Sequence, residues 1–78
     1  MATLMWEIRA AEGRLEELLE WALGRIDASA RVYRSNSGEP RMVVIDRTGQ
    51  VAAQLADPPV ELIARPGHWW EFSPVRNG

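Results

Sequence analysis

The chain has 78 residues, enough for one domain, and its 46% hydrophobic and 26% charged residues are the balance of a folded protein rather than a disordered one. It has no cysteine, which excludes disulfides and thiolate metal sites, and no apolar stretch approaches the ~18–20 residues that cross a bilayer. A net charge of −2, with nine arginines and no lysine, excludes a broadly basic nucleic-acid surface.

Thr3 to Arg9 alternates, with Leu4, Trp6 and Ile8 on one side and Met5, Glu7 and Arg9 on the other. A period of two predicts a half-buried strand over 3–9. From Arg14 the period changes. Leu15, Leu18, Leu19, Ala22, Leu23 and Ile26 follow i, i+3, i+4, i+7, i+8 and i+11, the stripe of an amphipathic helix over 14–26. Glu16 and Glu17 suit the positive end of its dipole. Trp21 lies off the stripe, so it either folds back over a flank or serves as an exposed anchor for a partner.

Two β-rich runs follow, 30–35 and 41–47, separated by turn formers around Ser35-Asn36-Ser37-Gly38. This reads as a hairpin. Its register stays open: a four-residue loop sets Arg34 opposite Arg41, at an electrostatic cost, and a three-residue loop reverses which residues face the helices. Met42-Val43-Val44-Ile45 is apolar on both sides, the pattern of a central strand.

Residues 48–56 admit two readings, a short helix capped by Thr48 or a turn at Thr48-Gly49 into another strand. Asp57-Pro58-Pro59 reads as the start of a helix running through Leu62 and Ile63 to Pro66-Gly67. His68 to Val75 reads as an aromatic strand, with His68, Trp70 and Phe72 on one side and Trp69, Glu71 and Ser73 on the other. The order is β, α, β, β, α, β. Right-handed crossovers then give one α+β domain over residues 1–78 of ferredoxin-like βαββαβ type, a four-stranded antiparallel sheet with two helices on one face, the second helix short and proline-interrupted.

The chemistry-bearing residues are few. There is no nucleophile elbow, phosphate-binding glycine loop or His-x-x-x-His pair, so no catalytic residue, metal or cofactor is expected. His68 is the single histidine, and its nearest carboxylate in sequence, Glu71, falls on the opposite side of a strand. Arg31, Arg34, Arg41 and Arg47 with Tyr33 bias the hairpin positive, the pattern of a solvated hairpin, of a phosphate or nucleic-acid patch, or of a charge match between subunits. An RNA-recognition domain shares this element order but places stacking aromatics on its third strand. Arg41-Met42-Val43-Val44-Ile45-Asp46 has none, so no nucleic-acid partner is expected.

Asp46-Arg47-Thr48-Gly49 before Gln50-Val51-Ala52-Ala53 is similar to the strand-to-helix turn of amino-acid-binding ACT domains, where it closes the first strand rather than the third. Trp6-Glu7-Ile8-Arg9, Glu12-Gly13-Arg14-Leu15-Glu16-Glu17-Leu18, and Val32-Tyr33-Arg34-Ser35 leading into Pro40-Arg41-Met42-Val43-Val44-Ile45 resemble the dimeric α/β-barrel proteins, especially the antibiotic-biosynthesis-monooxygenase-like group. More loosely, the whole chain resembles small actinobacterial proteins of this length. The dimeric-barrel resemblance implies sheets packed face to face around a ligand cavity, and in some members oxidation of aromatic polyketides without a cofactor. The present chain is shorter and its second helix is interrupted.

The expectation is therefore a small cytoplasmic homodimer acting as a structural or protein-interaction module, with no membrane partner. Met5, Trp21, Met42, Val44 and Trp69 are its candidate interface residues. The alternative is a small-molecule-binding or cofactor-independent enzymatic barrel, taking an apolar or aromatic ligand at Tyr33, His68 and Trp69. The open side of the sheet is expected to carry Met5, Glu7 and Arg9 with Trp69, Glu71 and Ser73, plus either Met42 and Val44 or Val43 and Ile45.

Overall fold

A computed structural model describes residues 3–76. Strand β1 is Thr3–Arg9, helix α1 Leu15–Leu23, β2 Arg31–Arg34, β3 Arg41–Asp46, helix α2 Val51–Gln54, and β4 His68–Phe72, with a 3-10 turn at Val60–Leu62 before the last strand. The four strands form one antiparallel sheet in the order β2-β3-β1-β4. This is a ferredoxin-like α+β fold.

The alternation in β1 decides which side is core. Leu4, Trp6, Ile8 and Ala10 are buried, whereas Thr3, Met5, Glu7 and Arg9 are half-buried on the other side. Beneath the helices the buried β1 residues join Met42 and Val44 of β3, Leu15, Leu18 and Ala22 of α1, and Val51, Leu55 and Leu62 of the second crossover. The stripe of α1 is narrower than its sequence suggests. Leu18 and Ala22 are fully enclosed, Leu19 and Ile26 only pack on the core margin, and Leu23 is 60% exposed. The helix also stops at Gly24 rather than at Ile26. Trp21 takes the first of its two readings, folding back against the core margin with the Arg25 guanidinium over its ring at 5.0 Å.

The hairpin adopts the parity of the odd-numbered loop. Arg34 pairs with Met42, and Ser35 N–H donates to the Arg41 carbonyl at 3.0 Å, so Arg34 and Arg41 do not face each other. The Ser35 hydroxyl locks the loop by donating to the Glu39 carbonyl at 2.9 Å while accepting the Arg41 N–H at 3.0 Å. Val32 then faces the core, and Arg31 and Tyr33 face the open side.

The second crossover departs most from expectation. Residues 51–54 are helical, but Gln50 rather than Thr48 stands at the N-cap, and the side chain that takes up the first helical N–H is Asp46 from the end of β3. One carboxylate oxygen accepts the Thr48 N–H at 2.9 Å and its hydroxyl at 2.7 Å, and the other accepts the Val51 N–H at 2.8 Å. The segment after Asp57-Pro58-Pro59 forms a single 3-10 turn, not a helix. Pro59 is extended (φ −55°, ψ 125°), and Ile63 bridges Ala10, with Ala64 N–H donating to the Arg9 carbonyl at 2.9 Å. Pairing with the end of β1 claims residues that a longer helix needs. Little of the second crossover is left to lie over β4, and every residue of that strand is exposed.

Candidate functional site

Directly opposed residues of antiparallel strands share a side, so the pairings define the open face row by row. One row runs Trp70–Met5–Ile45–Arg31 and the next His68–Glu7–Val43–Tyr33, with Phe72–Thr3 beyond the first and Arg9–Arg41 beyond the second. Tyr33, Trp70 and Phe72 are 49%, 43% and 51% exposed, and Met5, Val43 and Ile45 are half-buried beneath them. The result is an apolar band running diagonally across four strands, with the Glu7 carboxylate on its flank between His68 and Val43. Glu7 lies 3.7 Å from the Arg41 guanidinium, and Arg9 pairs with Glu39 at 3.0 Å. The His68 and Trp70 rings are stacked, with centroids 6.2 Å apart and planes inclined at 30°.

Three of the expected interface residues do not lie on the open face. Met42 and Val44 are fully buried beneath the helices, because the hairpin parity turns them inward and presents Val43 and Ile45 instead. Trp69 lies opposite Trp6, on the helix side. It stays 56% exposed there because no helix covers β4. The open face carries His68, Trp70 and Phe72 in place of Trp69, Glu71 and Ser73. Met5 is where it was expected.

The three candidate ligand residues do not converge. His68 and Tyr33 share a row, but three strand spacings separate them, roughly 14 Å at ~4.8 Å each. Trp69 is on the other side of the sheet. His68 is exposed, with Glu71 on the opposite side as the strand period requires. Its cross-strand neighbour is Glu7, a carboxylate distant in sequence that only the β1–β4 register brings close. Among the described residues no group of three or more His, Asp or Glu side chains is placed to hold a metal ion.

Two clefts flank β2. A groove of about 440 Å³ runs between α1 and β2, lined by Leu19, Leu23 and Val32 and crossed by the Arg34–Glu16 ion pair. The second, of about 240 Å³, opens on the other side of the sheet and is lined by Ser29, Arg31, Tyr33, Ile45 and Arg47. Tyr33 lines both.

The buried carboxylate of Asp46 belongs to the fold. Burial pushes its pKa up, but hydrogen bonds from the Thr48 hydroxyl and from the backbone N–H groups of Thr48, Val51 and Gln50 prevail and hold it below the usual carboxylate range. Every oxygen it has is committed to the turn before α2.

A crystal structure of an uncharacterized NIPSNAP domain protein from Burkholderia xenovorans is similar over 95% of this chain and 94% of that one, with a TM-score of 0.61 and 22% sequence identity. At that identity the likeness shows the shared ferredoxin-like fold. No protein-family model matches the sequence, and no curated protein matches it. No described helix is long and apolar enough to cross a membrane.

Proposed function

We propose that this chain is a homodimeric structural or protein-interaction module that associates through the open face of its sheet. The observation that carries the reading is the uncovered band of Trp70, Phe72, Met5, Ile45, Val43 and Tyr33, contiguous across four strands. A monomer seldom leaves a large contiguous apolar patch in water, and aromatic side chains are favoured interface anchors. A second copy suits the face because its charges come in both signs. Glu7 sits beside Arg9 and Arg41, so a two-fold axis through β1 can set each carboxylate against the partner's guanidinium groups. A domain this small also has little core to spare, and association adds burial that the chain cannot supply alone.

The face and the edge of β4 are separable by mutation. Trp70→Asp places a charge at the β4 end of the band and should yield a monomer in size-exclusion chromatography with light scattering. Trp69→Asp, on the opposite side, should leave the dimer intact. A dimer that survives Trp70→Asp and dissociates with Trp69→Asp contradicts association through the open face.

A further inference from the structure

The four hairpin arginines are not equivalent once folded. Arg34 is paired with Glu16 on α1, and Arg41 with Glu7 on β1. Arg31 and Arg47 have no carboxylate within 4.0 Å among the described residues. These two flank Ile45 on the open side of the sheet, because Arg31 is its cross-strand partner and Arg47 is two residues further along the same chain. With Ser29 and Tyr33 they line the 240 Å³ cleft. The fold thus neutralises half of the hairpin's positive charge and gathers the other half around one concavity.

We propose that this cleft binds a small phosphate monoester carrying an aromatic or apolar group. Two uncompensated guanidinium groups match a dianion better than the single charge of a carboxylate, and each offers a planar fork that takes two oxygens at once. Ser29 adds a hydroxyl donor to the lining. Ile45 and the Tyr33 ring add apolar surface, which bare phosphate cannot use but an attached ring can. The cleft's volume fits one such molecule and not a polymer. It is built within one chain, so it does not rest on the dimer. Its apolar lining, Ile45 and Tyr33, is the β2 end of the apolar band, so a ligand here and a partner copy meet at those two residues.

The probes are phenyl phosphate, inorganic phosphate, benzoate and a single-stranded oligonucleotide, titrated into the 15N-labelled full chain. Phenyl phosphate should give saturable shifts at Ser29, Arg31, Tyr33, Ile45 and Arg47, and should bind about tenfold or more tightly than inorganic phosphate or benzoate. Arg31→Gln and Arg47→Gln should each weaken it about tenfold while leaving the rest of the spectrum unchanged, and Arg65→Gln should have no effect. Phenyl phosphate that shifts no residue of the cleft, or binds both cleft variants as well as the native chain, overturns the proposal. So does benzoate binding as tightly as phenyl phosphate, or an oligonucleotide binding more tightly with a steep dependence on salt. Sedimentation of the same samples reports the oligomeric state separately, so loss of the dimer and loss of the site are told apart.

Discussion

At the scale of single residues, Asp46 ties the sheet to the second crossover. Its carboxylate ends β3 and collects the free N–H groups at the start of α2. Because its folded pKa lies below its unfolded one, its contribution is complete above the ordinary carboxylate value of 3.8 and fades as pH falls through the folded value. Asp46→Asn keeps the size but turns an amide donor toward a backbone donor, and should cost about 1–2 kcal/mol at neutral pH, the scale of a lost helix cap. The gap in melting temperature between native chain and variant should hold steady near neutral pH and narrow as pH falls below about 4; a gap that stays constant there means the charge contributes nothing. Gly67 is a second sensitive point, since a Cβ there would sit 3.0 Å from the buried Trp6 indole and 3.2 Å from the Glu7 carbonyl. Gly67→Ala should lower the melting temperature by several degrees, equivalent to about 1–3 kcal/mol of overpacking. Thr48 looked like the cap because sequence shows which residues have capping oxygens but not which one a strand end aims at the helix.

At the scale of elements, the four strands and α1 were legible because each carries its own period. The strand ends are shorter than the sequence patterns, stopping where the chain leaves the sheet at Arg34, Asp46 and Phe72. The parity of the hairpin and of β4 was not legible, for a shared reason. When both sides of a strand are apolar, alternation no longer says which is inward, and the decision passes to loop geometry and to the register with the neighbouring strand. In β3 the Ser35 lock and the charge cost of opposing Arg34 with Arg41 decided it. In β4 the register with β1 sets it: Trp69 falls opposite Trp6 on the helix side, and it is still exposed because no helix covers the strand. The same cover sets the energetics of α1. Leu18→Ala, at a fully enclosed position, should cost about 2–5 kcal/mol, while Leu23→Ala should cost under about 0.5. Urea denaturation of both variants checks this, and similar losses for the two would mean α1 is rotated from the position described.

At the scale of the whole molecule, a helix-covered face and an open face divide the labour. The covered face holds the core, and the open face holds the apolar band with the Glu7 and Arg41 pair on its flank. How the open face would be used was only partly legible in the sequence. The need for more burial followed from length and the absence of cysteine, and Met5 from the period of β1, but Trp70, Phe72, Val43 and Ile45 required the registers. His68 belongs to the same face without a catalytic setting, so His68→Ala should change the melting temperature by no more than about a degree or two, as exposed substitutions do. A larger loss would assign its stack on Trp70 a structural role. The central claim, that the open face is where two copies meet, is tested most directly by sedimentation equilibrium of the native chain at micromolar concentration. The account predicts a species of twice 8.8 kDa, and a single species of 8.8 kDa would contradict it.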